Sequence, residues 1–173
     1  MNCSIVYASQ TGNTALVAQA VRRGAGACCA QFGEAGAAAL QGDLVFVGYW
    51  VDKGTADQQS RQVLAGLANR RIALFGTCGM GGAPDYYAGI EQRVAALVPE
   101  SCTLVGSFLC QGKMAQAVGQ RYEAALQADP SDARAQAGLV NFRRALGHPD
   151  EEDLARAERF ARQIVTQDQE KTI

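Results

Sequence analysis

No run in this sequence reaches the roughly 18 apolar residues that a membrane-spanning helix needs. The opening "MNCSIVYASQ" has no basic residue ahead of its apolar run, so it does not read as a secretory signal, and the expectation is a soluble cytoplasmic chain. Net charge is only −1, which lacks the basic excess that broad nucleic-acid binding uses. Histidine occurs once, at His148, and none of the six cysteines (Cys3, Cys28, Cys29, Cys78, Cys102, Cys110) forms a C-x-x-C pair. No zinc or iron–sulfur ligand set is therefore spelled out. Cys28 and Cys29 are neighbours in sequence, a poor geometry for a mutual disulfide, and most of the cysteines read as small buried hydrophobes. Cys78 lacks an evident histidine partner and is not read as a nucleophile.

What is present is ample core. The 173 residues are 48% hydrophobic and 19% charged, enough for one compact domain spanning residues 1–173. Apolar, β-branched runs alternate with amphipathic segments. Strands are expected at 3–8, 27–32, 43–50, 71–77 and 102–110, and helices at 13–23, 56–70, 84–98, 114–127 and 150–165. Leu16, Val17, Ala20 and Val21 share one face of the first helix, and Gly24 reads as its stop. Val63, Leu64 and Leu67 face inward on the second. Between the last two helices, 129–146 reads as an extra short helix with Leu139, Val140 and Phe142 inside. Asp150 with Asp153 looks like a helix cap, and His148 has a surface or capping role. Strands that are apolar throughout, separated by amphipathic helices, mean a parallel sheet covered on both faces. Five of them suggest an open, doubly wound α/β fold.

In such a sheet the ligand crevice lies beyond the carboxyl ends of the strands. Three loops should meet there: "SQTGNT" after the first strand, "YWVDKGTAD" after the third and "TCGMGGAPDYY" after the fourth. The first contains no Lys or Arg. Any strand-to-helix turn likes such residues as caps, but they also suit a phosphate. Ser9, Thr11 and Thr14 offer hydroxyls, Asn13 an amide, Gly12 a close backbone approach, and the helix behind them partial positive charge. Gln10 completes the stretch. The lysine of a G-x-x-x-x-G-K-[ST] loop is missing, which argues against nucleoside triphosphate hydrolysis. Neutral donors suit one terminal phosphate that is bound and not transferred.

"SQTGNT" closely resembles the phosphate loop of flavodoxins, T/S-x-T-G-N-T, and the βα order resembles that family over most of the chain. The resemblance implies a flavodoxin-like sheet of order 2-1-3-4-5, a bound flavin mononucleotide (FMN) and electron carriage. "GYWVDKGTAD" and "GHPDEEDLARAERFA" also look like a flavodoxin-like subgroup associated with bilirubin reductase systems. On the family pattern, Trp50 stands as one wall for the flavin ring; its other reading is a residue finishing a strand. A turn within Val51, Asp52, Lys53 and Gly54 is where the resemblance places a peptide flip toward flavin N5. Lys53 near the ring would favour an anionic reduced flavin, or with Asp52 form a solvated charge pair. Thr77, Cys78, Gly79, Met80, Gly81 and Gly82 would run along the pyrimidine edge with backbone groups. Tyr86 either stacks on the outer flavin face or only starts a helix, with Pro84 in its first turn and Tyr87 in the core.

The resemblance implies an FMN carrier passing electrons between a reductase and a partner redox enzyme. An FMN-dependent NAD(P)H oxidoreductase acting on quinones or another small acceptor is the alternative, and a flavin-free binding module a third.

Overall fold

A computed structural model describes residues 2–36, 40–82 and 84–170. Five parallel strands, β1 (Cys3–Tyr7), β2 (Cys29–Glu34), β3 (Leu44–Asp52), β5 (Arg71–Cys78) and β6 (Thr103–Gln111), stand in the order β2-β1-β3-β5-β6. This is the expected 2-1-3-4-5 arrangement with one addition. A two-residue strand, β4 (Thr55–Ala56), folds back antiparallel on the end of β3, pairing Val51 with Ala56 and Asp52 with Thr55. The turn between them is Lys53-Gly54, both at positive φ (49° and 82°), the two-residue geometry that matches strand twist. The turn falls within the expected Val51–Gly54 stretch, while the short strand after it was not expected.

Side-chain alternation along the central strands feeds two cores. Ile5, Phe46 and Phe75 pack beneath Val17 and Val21 of α1 (Asn13–Ala25) and Ala157, Ala161 and Ile164 of α6 (Glu151–Glu170). Val45, Val47, Tyr49 and Leu74 pack beneath Leu64 of α2 (Gln58–Ala65) and Ile90 and Val94 of α3 (Pro84–Ala95). Between β6 and α6 lie α4 (Gln116–Ala128) and α5 (Ala133–Ala145), which pack on each other through glycines. A Cβ at Gly119 would stand 2.4 Å from the Phe142 ring, and one at Gly138 would stand 2.4 Å from that of Tyr122.

Several expectations need correction. Gly24 does not stop α1; it lies inside the helix where α6 crosses, and the helix turns off at Gly26, at φ +57°. Leu16 is 50% exposed and Val140 is 58% exposed, so neither joins a core face. The 129–146 helix is a full 13 residues, not a short one. α2 spans only eight residues, capped by Asp57, whose carboxylate accepts from the Ser60 N–H at 2.9 Å. The second strand begins two residues later than expected, after a 3-10 turn at Gly26–Cys28.

The cap ahead of α6 does form. The Asp153 N–H donates to Asp150 Oδ1 at 2.8 Å, the Asp150 N–H donates to Asp153 Oδ2 at 3.0 Å, and His148 Nδ1 lies 2.5 Å from that same oxygen. This reciprocal pattern satisfies two helix-start donors at once.

Candidate functional site

The connections leaving β1, β3, β5 and β6 all emerge at one edge of the parallel sheet. There they enclose a cavity of about 290 Å³. Gln10 and Thr11 line it from the β1–α1 loop and Asn13 from the start of α1, Trp50 and Val51 from β3, Thr77 from β5 and Gly79 from just after it. A fourth group, Lys113, Met114, Ala115 and Val118, lines it from the β6–α4 connection, which the sequence had not enlisted. A larger hollow, about 490 Å³, lies on the flank between α2 and the end of the β2–β3 connection. None of its lining residues comes from the loops that follow β1, β3, β5 and β6.

The loop after β1 is built around Asn13, which is 8% exposed. Its amide donates to Thr11 Oγ1 at 2.9 Å and to the Lys113 carbonyl at 2.8 Å, tying the first loop to the last. The approach is so close that a Cβ at Gly112 would fall 2.7 Å from the Asn13 amide nitrogen. Gly12 is the α1 N-cap at φ +86°, where a side chain would be strained. Ser9 Oγ accepts from the Ala15 N–H at 3.2 Å. Thr14 departs from the expectation that its hydroxyl faces a phosphate. It is 1% exposed, and its Oγ1 lies 2.8 Å from Thr77 Oγ1, bridging α1 to β5. What Thr14 can still offer an anion is its backbone N–H at the helix start.

Trp50 lies on β3, half-buried, and its backbone is fixed by a residue the sequence reading passed over. The Trp50 N–H donates to Asp57 Oδ2 at 3.2 Å and the Asp57 N–H donates to the Trp50 carbonyl at 3.0 Å. Asp57 also accepts from Ser60 Oγ at 2.7 Å, so a single buried carboxylate caps α2 and locks the strand carrying the indole.

Asp52, Lys53 and Gly54 form the β3–β4 turn beside the cavity without lining it. The Gly54 carbonyl accepts from Arg93 Nε at 2.7 Å, which ties the turn to α3. At the end of β5, Cys78 is buried, and burial pushes its thiol pKa up, the reverse of what a nucleophile needs. Met80, Gly81, Gly82 and Tyr86 lie outside the cavity lining. The Tyr86 hydroxyl is 4.0 Å from Cys78 Sγ, and its ring leans on Tyr87, 6.2 Å between centroids. Apolar contact inside the cavity comes instead from Val51, Met114 and Val118 beside the indole.

The donor set is chemically two-ended. One end of the lining is the neutral start of α1, and Lys113, an exposed residue of the β6–α4 connection, lines the same cavity. α4 also begins here, and its N-cap residue Ala115 has no side-chain cap, whereas α2 and α5 are capped by Asp57 and Asp132. The other end is apolar and aromatic. An anionic tail on a flat ring fits both.

A model of the flavodoxin domain matches residues 4–162. The chain belongs to the flavodoxin-domain family. Among the family's members, a flavodoxin-like domain-containing protein BilS from Clostridium symbiosum (strain WAL-14163) is 38% identical over 178 residues, covering 92% of this chain and 94% of the relative. A BilS protein from Clostridioides difficile (strain CD3) is 38% identical over 123 residues, covering 71% of this chain and 70% of the relative. Solved structures share the fold. A flavodoxin, WrbA-like protein from Agrobacterium tumefaciens superposes with a TM-score of 0.59 at 13% identity, over 98% of each chain. Oxidised flavodoxin 2 from Bacillus cereus superposes with a TM-score of 0.55 at 15% identity, over 96% of this chain and 99% of its own.

Proposed function

We propose that the cavity holds FMN and that the protein carries electrons between a reductase and a partner redox enzyme. The observation that carries this reading is the convergence at one strand edge of the neutral, anion-ready start of α1 with the Trp50 wall. The family and the two-ended donor set support the cofactor. FMN supplies the redox chemistry when bound. The chain's own residues bind and orient it: the first loop holds the phosphate through backbone N–H groups and Thr11, and Trp50 holds the ring. Lys113 adds attraction for the phosphate. The resemblance to a subgroup associated with bilirubin reductase systems makes such a reductase the first acceptor to assay.

Two variants test the two ends separately. Trp50→Ala should weaken FMN binding roughly fivefold or more, about 1 kcal/mol of lost stacking, and riboflavin by the same factor. Lys113→Gln should weaken FMN by a few-fold at low salt, about 1 kcal/mol or less for an exposed ion pair, and leave riboflavin unaffected. Both are read by quenching of flavin fluorescence. Unchanged affinity for Trp50→Ala would return the indole to a purely structural place. The carrier assignment is tested by mixing the FMN-loaded protein with NAD(P)H and a quinone. Slow turnover until a second reductase is added is the expected result; rapid turnover by the protein alone would make it an oxidoreductase.

A further inference from the structure

The turn after β5 is held from outside the cavity by one side chain of α5. Asn141 is 8% exposed, and both ends of its carboxamide are committed. Oδ1 accepts from the Gly81 N–H at 2.8 Å, and Nδ2 donates to the Gly79 carbonyl at 3.1 Å. Nδ2 also lies 3.4 Å from Met80 Sδ and 3.6 Å from Met114 Sδ. Gln111, at the end of β6 and 5% exposed, completes the brace: its Nε2 donates to the Gly79 carbonyl at 3.1 Å and to Asn141 Oδ1 at 3.2 Å. Turning the Asn141 amide over would set donor against donor at Gly81 and acceptor against acceptor at Gly79, so the pattern fixes its orientation. The fit leaves no room for side chains. A Cβ at Gly79 would fall 2.9 Å from Met114 Cγ, and one at Gly81 would fall 2.4 Å from Gln111 Oε1.

Gly79 and Met114 both line the cavity, so Asn141 reaches the backs of two of its walls at once. We propose that Asn141, braced by Gln111, is a positioning residue for FMN: it fixes the backbone wall at Gly79 and thereby sets FMN affinity and reduction potential. The proposal rests on the cofactor reading above. It gives the α5 segment a task, since that segment delivers a side chain that reaches both the β5 turn at Gly79 and Gly81 and Met114 after β6. A buried amide with each end paired is stiff, and a wall fixed before binding need not be ordered during it.

The test compares three variants in the full chain reconstituted with FMN. Asn141→Ala removes both bonds and should lower FMN affinity about tenfold and move the flavin midpoint potential. Asn141→Asp keeps the acceptor for Gly81 but sets a carboxylate against the Gly79 carbonyl. It should weaken binding by at least as much and shift the potential to more negative values, because negative charge near the ring opposes reduction. Phe142→Leu is the control: Phe142, next to Asn141 in sequence, packs its ring on α4 at Gly119, so the change should lower stability while leaving affinity and potential at wild-type values. The proposal is overturned if both Asn141 variants keep wild-type affinity and potential. It is equally overturned if Phe142→Leu reproduces their shifts at the same loss of stability. A wild-type protein that takes up no FMN refutes the cofactor reading itself, and that failure shows before any variant is made.

Discussion

Thr11→Glu is expected to abolish FMN uptake while leaving most of the binding of riboflavin, which has the same ring and no phosphate. Thr11 is exposed at the cavity rim, and its hydroxyl accepts from the Asn13 amide at 2.9 Å. A carboxylate here would stand within a few ångströms of a phosphate at the start of α1. Two like charges about 4 Å apart repel by about 4 kcal/mol at the effective dielectric of a protein surface. That corresponds to about three orders of magnitude in affinity, far beyond the roughly 1 kcal/mol of one lost hydrogen bond. Loop distortion alone would weaken both flavins together. Parallel titrations of apoprotein with FMN and riboflavin therefore separate the two causes. Equal losses for both ligands would mean that no phosphate sits there.

Gly24→Val is expected to be the most damaging single change to the fold itself. A Cβ at this position would lie 2.2 Å from the Glu158 carbonyl oxygen and 2.9 Å from Ala161 Cβ, with backbone rather than a yielding side-chain tip as the obstacle. α1 and α6 would have to separate, opening the core beneath Phe46 and Phe160. Overpacking of this kind costs about 3 kcal/mol, and the slightly better helix propensity of valine recovers only a few tenths. The urea midpoint should fall with little change in m, and Tm should drop by about 8 °C for a chain of this size. Gly24→Ala is the sharper control. Propensity alone would make it stabilising by about 1 kcal/mol; the crossing makes it destabilising. A stabilised Gly24→Ala variant would show that the two helices are not this close.

Gly24 also shows where sequence reading reaches its limit. A glycine ahead of another small residue looks like a helix stop because local conformational freedom is all that the sequence displays. That it is spared a side chain for α6, more than 130 residues away, is a tertiary fact. The strand–helix alternation was legible because continuous apolar runs and the 3.6-residue period are written into the segments, and strand order followed from the resemblance. Leu16 and Val140 misled for the opposite reason: each satisfies the helical period beside buried neighbours, yet is itself 50% and 58% exposed at the margin of the buried face. The first loop announced itself through composition. Lys113 and Met114 did not, although the same rule that placed the crevice beyond the strand ends applies equally to "CQGKMAQ". Asp57 and Asn141 were out of reach altogether. Each acts on the backbone of a segment whose distance in space no spacing encodes, and an Asp before a helix or an Asn within one has ordinary uses everywhere.

The central claim is that the start of α1 and the β3 wall together receive FMN. A crystal structure of the protein reconstituted with FMN tests it most directly. The phosphate is expected against the backbone N–H groups of residues 11–14, with the isoalloxazine beside Trp50 and the Gly79 turn. A mononucleotide seated anywhere else, or reconstituted protein whose crystals show these loops closed on themselves, would contradict it.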